Sequence, residues 1–470
     1  MRTTRMRNSR LMVIGLLVVA ACSGTPGGGT TAGDVTPATT AGSGTTGAPG
    51  TTAASGTTGA TEVPAGATEV IFWQTQFTDE ENAWYEGVVD AFNQSQDAIY
   101  VTHDIVPADA FEQRMTAAQA AGNAPDVRTV FYGSIAEQAR TSQIIPLTDL
   151  ISAEAWGDVS PNVLELVTVD GDQYAYPLLV EPSAVLYYRT DLFEAAGLEG
   201  PPTTWDQMIE YANALSSDEV FGVRLAQNAV DISWSTWGYQ YNVAGHLPIS
   251  DDWSEPLANE EYAPLLQVFQ DLFASGALPP ADGVGYPDAS TFGEGQYAMM
   301  ANGSWAASQL LADYPDLVPN VAVAAMPTFS GQPGETTATL GGWTWAVDGN
   351  SEVSEEAAQF IEWALGGDPE NVIGFFETTV FSKVSARTSV IEAISAMPDI
   401  DSINPFNAVI QADIVPYAQA EPRYPWNVSL AMGEAIEAAM QGTPVADALA
   451  EANTKIQTEI DNSSLAGTGG

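Results

Sequence analysis

Between residues 68 and 131, short apolar runs alternate with longer stretches of helical spacing, and this alternation restricts the fold more than any other feature of the chain. Val70-Ile71-Phe72-Trp73 reads as a buried first strand. In the stretch Glu80 to Phe92, Trp84, Val88, Val89 and Phe92 share one helical face. Ile99 to Val106 is again strand-like, Phe111 to Ala121 is helical, and Ala124-Pro125-Asp126-Val127 breaks into another strand. Strands that alternate with helices imply an α/β layer architecture. Further along, Pro201-Pro202-Thr203-Thr204-Trp205-Asp206 is a helix start with Thr203 as cap and Asp206 at capping-box spacing, and the helix is expected to reach Leu215. Ser354 is expected to cap a helix carrying Ala358, Ile361 and Leu365 on one face. Thr443 is expected to cap a last helix with Pro444 at its first position and Leu449, Ala452 and Ile456 on one side. The sequence contains no repeat of 20–50 residues.

The 470 residues allow two or three domains. The charge balance is 13 Lys+Arg against 60 Asp+Glu. Arg2, Arg5, Arg7 and Arg10 precede the first apolar run, so only nine basic residues remain beyond it. Such a surface repels nucleic acid and anionic headgroups, and it disfavours an anionic ligand unless an arginine is aimed at it. The one cysteine, Cys22, excludes an internal disulfide and any thiolate site deeper in the chain. Two histidines, His103 and His246, exclude a multi-histidine metal centre.

Residues 1–10 are basic, and Leu11 to Ala21 is an apolar run too short to span a bilayer but right for a signal-peptide core. Val19-Ala20-Ala21-Cys22 resembles the bacterial lipobox, in which the cysteine is lipidated and becomes the new N-terminus. From Ser23 to about Gly66 the chain is almost entirely Gly, Thr, Ala, Ser and Pro, a composition that cannot offset its ordering entropy. It reads as a tether with an r.m.s. reach of roughly 35–40 Å. No later segment has 18 uninterrupted apolar residues.

The order of landmarks across 68–462 resembles the bacterial extracellular solute-binding proteins of sugar importers, family 1, the group that includes the maltose-binding proteins. The first landmarks are Val70-Ile71-Phe72-Trp73, Ala121-Gly122-Asn123-Ala124-Pro125-Asp126-Val127, Ile145-Pro146-Leu147 and Tyr176-Pro177. Val185-Leu186-Tyr187-Tyr188, Asp191-Leu192-Phe193, Ala196-Gly197-Leu198 and Pro201-Pro202-Thr203-Thr204-Trp205 follow. Phe292-Gly293-Glu294-Gly295-Gln296-Tyr297-Ala298-Met299, Asn302-Gly303-Ser304-Trp305, Met326-Pro327 and Gly341-Gly342-Trp343 close the series. The resemblance implies a type II periplasmic-binding-protein-like fold: two α/β lobes joined by crossing hinge strands, with the solute in the cleft between them. The expected division is a signal peptide and lipobox over 1–22, a tether over 23–66, lobe I over 68–181 and 328–395, and lobe II over 182–327 and 396–462. Relatives usually follow the paired aromatic with Asn-Lys, whereas this chain has Arg189-Thr190.

A sugar offers apolar C–H faces and a ring of hydroxyls, so its receptor needs flat aromatic surfaces and a few fixed polar groups. The chain has 12 Trp and 16 Tyr. Trp305 falls where the family places a cleft tryptophan. Trp343 follows Gly341-Gly342, and Gly342 leaves backbone open for close approach. Trp345 alternates to the same side of a strand as Trp343, so one of the two is a packing residue. Trp234 and Trp237 are neighbours at i, i+3 if Ser-Trp-Ser-Thr-Trp is helical. Tyr132 is expected at a strand end facing the cleft, and Gln74 and Gln76 just past the first strand are candidate hydroxyl partners. The resemblance implies a sugar-binding carboxylate at Glu181, where a charged acceptor gives a directional contact. It also implies a late loop reaching into the cleft at Arg423, which binds ligand or pairs with an acid. For each of these the alternative is core packing or a solvated surface.

The function implied is capture of a sugar or oligosaccharide outside the cell and its delivery to the permease subunits of an ABC importer. The chain would act as a monomer anchored to the outer face of the membrane through Cys22, without catalysis, cofactor, metal or nucleic acid. Three rival functions are compatible with parts of the sequence: a secreted glycosidase hidden among the carboxylates, a ferric-ion binder using Tyr187-Tyr188, and the same fold holding a polyamine or another organic cation.

Overall fold

In the computed structural model, residues 63–107, 110–398 and 400–469 are described; Cys22, the apolar run and nearly all of the proposed tether lie outside them. The opening alternation is realised as β1 (Thr68–Thr75), α1 (Asp79–Ser95), β2 (Ile99–Val106), α2 (Phe111–Ala121) and β3 (Val127–Phe131). Thr78 and Glu81 close a capping box at the start of α1, which joins two otherwise orphaned backbone donors to side chains. Strands β2, β1 and β3 are parallel, and strand Trp343–Val347 adds antiparallel to β3, pairing Trp343 with Phe131. Strand Tyr176–Pro177 completes this five-stranded sheet.

A second sheet carries strands Val321–Ala324, Val185–Arg189, Tyr297–Asn302 and Phe221–Arg224 in that spatial order. Each sheet has its own apolar core. The first holds Phe72, Tyr85, Trp345, Phe360 and Phe376, and the second holds Tyr187, Trp205, Phe269, Phe292 and Ile436. Two separate cores make two lobes. A third sheet, with strands Val384–Ser385, Leu179–Pro182, Thr339–Gly341 and Gln419–Ala420 side by side, joins them. The first two crossings of the chain therefore pass through hydrogen-bonded strands, whereas the last runs through the short helix Ile400–Ile403. The return from the second lobe lies later than the expected boundary at 328, because Phe329 and Ala338 still pack with the second core. The last crossing is also later than 396: Ile400 packs on the first core and Phe406 in the second. Away from the strands, Arg140 of the helix Tyr132–Arg140 (α3) lies over the Trp253 ring of the second core at 4.7 Å.

Three helix caps differ from expectation. Thr204, not Thr203, caps the helix Trp205–Leu215, because its hydroxyl accepts from Gln207 N–H at 3.1 Å while the Gln207 amide oxygen accepts from Thr203. Ser354 is the first residue of its helix, and its hydroxyl donates to the Ser351 carbonyl. Pro444, not Thr443, sits at the N-cap of the helix Val445–Ser463.

Candidate functional site

The hinge strand Leu179–Pro182 fixes the geometry of the cleft floor. At its start, Leu178 N–H donates to the Trp343 carbonyl at 3.0 Å, and Gly341 pairs in register with Glu181. At its end, Ser304 N–H donates to the Pro182 carbonyl at 3.1 Å. The backbone of Trp343 from the first lobe therefore adjoins the start of the strand that carries Glu181, and Trp305 of the second lobe follows the residue bonded at its end. Both indoles are partly exposed.

Each ring is held by its own lobe. The Trp305 Nε1–H donates to the Pro287 carbonyl at 3.1 Å, and its ring lies over Gly303, where an added Cβ would sit 1.8 Å from Cζ3. Trp234, also partly exposed, stands 5.9 Å from Trp305 and 5.3 Å from Tyr286, edge to face with the latter. In the first lobe Trp343 meets Phe77 edge-on at 5.0 Å and Phe131 at 6.3 Å. It lines a cavity of about 220 Å³ together with Thr75, Phe111, Gln119, Thr129 and Ser134. Gly342 has φ +140, and a Cβ there would lie 2.5 Å from the Leu179 carbonyl oxygen, so this turn tolerates no side chain.

Around the Glu181 strand lies a group of buried charges. Glu181 is 6 % exposed, and its Oε2 is 3.6 Å from Lys383 Nζ. Lys383 also donates to Glu81 Oε1. Burial pushes the Glu181 carboxyl up, Lys383 pulls it down, Glu81 pushes it up again, and the result is a value of about 7. Glu421 is half-buried beside Gly341 and accepts from Gly133 N–H at 3.3 Å. Burial raises it to about 8 against the pull of that N–H, with Glu181 adding to the rise.

Other residues singled out in the sequence lie elsewhere. Tyr132 begins α3 rather than ending a strand; its ring is in the first core and its hydroxyl donates to the Leu179 carbonyl at 3.0 Å. Trp237 does not share a helix with Trp234, since the helices Ala229–Ser235 and Trp237–Ala244 meet at Thr236. It is buried, with Nε1–H donating to Ser429 at 2.9 Å. Gln74 is buried and donates to Asn82 at 2.8 Å, whereas Gln76 is exposed. Of the tryptophan pair on one strand, Trp345 is the packing residue, enclosed by Phe72, Tyr85 and Phe360. Arg423 turns to the Thr168 carbonyl, 2.7 Å away. The Tyr187 hydroxyl donates to the Gly303 carbonyl and its ring is fully buried, which removes it from any ferric site. Among the described residues, no group of three or more His, Cys, Asp or Glu could hold a metal ion, and no helix is long and apolar enough to cross a membrane. Sequence reasoning missed Phe77, Phe131, Tyr286, Glu81, Lys383 and Glu421. Only Lys383 carried a signal, as one of nine basic residues.

The model of the family described as bacterial extracellular solute-binding protein matches residues 74–368. The chain belongs to that family. Its members are extracytoplasmic binding proteins of ABC transporters, not enzymes. A probable ABC transporter-binding protein of Deinococcus radiodurans is 26% identical over 218 residues, 45% of this chain and 51% of the relative, so the match spans about half that relative's length. A mannitol-binding protein of Pseudomonas aeruginosa is 25% identical over 58% of this chain and 64% of its own. Among solved structures, the cyclic α-maltosyl-1,6-maltose binding protein of Arthrobacter globiformis superposes with a TM-score of 0.64 at 26% identity, over 84% of this chain and all of that one. The two-lobe type II fold of this solute-binding protein is thereby shared with proteins of known structure.

Proposed function

We propose that the cleft captures an uncharged sugar or oligosaccharide and presents it to the permease subunits of an ABC importer. The observation that carries this reading is that each lobe brings a partly exposed indole next to one end of the Glu181 strand. A sugar ring sandwiched there covers apolar faces with indoles and offers its hydroxyls to a carboxylate. The basic residues add support, because an anionic solute needs a cationic clamp. Arg128, Arg224 and Arg387 are buried against Asp348, Asp282 and Asp158. Arg114, Arg189 and Lys455 pair with acids of their own lobe, Arg140 covers Trp253, and Arg423 meets Thr168. Lys383 is held between two glutamates.

Relatives and structural neighbours named for mannitol and for cyclic maltosyl-maltose point to the same ligand class. Hinge motion about the third sheet would bring the indoles together on the solute and shift the population to a closed form. Lipidation at Cys22 and the tether over 23–66 would hold the monomeric binding body near the membrane. The test is a thermal-shift screen over mannitol, maltose, maltotriose and other neutral saccharides, since a ligand of the native state raises the melting temperature; no shift with any of them refutes the reading. A second reading, an organic cation, is favoured by the neighbouring Glu181 and Glu421. It predicts affinity that falls steeply with salt, whereas neutral sugar binding barely responds.

A further inference from the structure

Lys383 lies beside the Glu181 strand, and its surroundings are unusual for a lysine. It is almost fully buried between the Phe77 and Phe375 rings, 5.9 and 5.7 Å from its Nζ, and it pairs with carboxylates from two different segments. Glu81 comes from the first turn of α1, where its other oxygen accepts from Thr78 N–H at 3.3 Å and closes the capping box. Glu181 comes from the hinge strand. The ammonium therefore ties a rigid helix end to the strand that runs between the lobes. A carboxylate buried this deeply reverts to the neutral acid unless a cation faces it. As a neutral acid it would become a donor and lose its value as a two-hydroxyl acceptor.

We propose that Lys383 is a positioning residue, which holds the Glu181 carboxylate ionised and fixed in place as the acceptor for solute hydroxyls, with Glu81 as its anchor. The role rests on the sugar-binding reading above, in which Glu181 touches the solute. The groups facing Glu181 are Lys383 before strand Val384–Ser385, Glu81 and Tyr85 of α1, Tyr187 of the second lobe's sheet, and Glu421 beyond strand Gln419–Ala420. Of these, Lys383 alone favours the charged form, and Glu81 and Glu421 oppose it. Burial works against the lysine's charge, but Glu181 and Glu81 outweigh it and hold the ammonium above the ordinary lysine value.

The test reads Glu181 directly. Carbon-13 NMR of the purified protein labelled at glutamate carboxyl carbons identifies Glu181 as the resonance lost in Glu181→Gln, and a pH titration gives its midpoint. The wild-type midpoint is expected near 7. Lys383→Met should raise it by about one to three pH units, and Glu81→Gln should lower it. A purely structural role would reduce the melting temperature without moving the midpoint in opposite directions. An unmoved midpoint in folded Lys383→Met overturns the proposal. If that variant does not fold, Glu81→Gln decides alone, and an unmoved midpoint there overturns it. Affinity for whichever of maltotriose, maltose or mannitol binds should follow the ionised fraction across pH 6–9 in each variant; affinity that ignores a shifted midpoint also overturns the positioning role. If none of the three binds, the sugar reading fails, while the midpoints still judge whether Lys383 holds Glu181 charged.

Discussion

Replacing Trp305 by alanine removes the second lobe's half of the proposed aromatic sandwich, and the loss can be sized. The ring is partly exposed and held flat over Gly303 by the Nε1–H bond to Pro287. That leaves roughly 50 Å² of indole for a solute to cover, which at about 25 cal/mol per Å² corresponds to about 1.3 kcal/mol. Preorganisation adds to this, since the ring needs no reorientation to receive a ligand. The expected cost is about 1.5–3 kcal/mol, a roughly tenfold to hundredfold rise in Kd. Isothermal titration with the saccharide that gives the largest thermal shift measures it, and Trp305→Phe should recover part of the loss. The ring also packs against Trp234, so the melting temperature of the alanine variant must be recorded to separate binding from folding. A Kd unchanged within twofold in a folded Trp305→Ala protein refutes the reasoning.

Arg128→Met should destabilise the protein by about 3–5 kcal/mol in urea denaturation, because it strands the Asp348 carboxylate in the interior, both partners being almost fully buried. Gly342→Ala should cost about 1–3 kcal/mol from its positive φ alone and more from the close approach to Leu179; it should also weaken solute binding, and normal affinity with normal stability would contradict the hinge geometry. Glu421 is raised to about 8, above its unfolded value, so the folded state binds the extra proton between the two. Its contribution to stability is present at low pH and is lost as pH rises through about 8. Glu421→Gln should therefore gain stability relative to wild type between pH 5 and 9, as read from melting temperatures.

The alternating segment from β1 to α2 was legible because each element carries its own periodicity and ends at a turn residue, and β2 and α2 fall on the residues expected. The caps were less legible. Thr203 and Thr204 are adjacent candidates, and only the place of Gln207 three residues after Thr204 decides between them. The site divides the same way. Trp305 and Trp343 stand out locally through the glycines that let backbone and ring approach. Tyr132 and Trp237 are identical in type to cleft aromatics, and what buries them is a partner far off in sequence, Leu179 and Ser429. The bond between Lys383 and Glu81 joins residues 302 apart, and no local pattern encodes such a contact.

A co-crystal structure with the saccharide that most raises the melting temperature tests the central claim most directly. The intact sugar should lie between the Trp305 and Trp343 rings, with its hydroxyls in hydrogen-bond reach of Glu181 and the lobes closed on it. A saccharide bound away from these rings, or cleaved in the cleft, would contradict that claim.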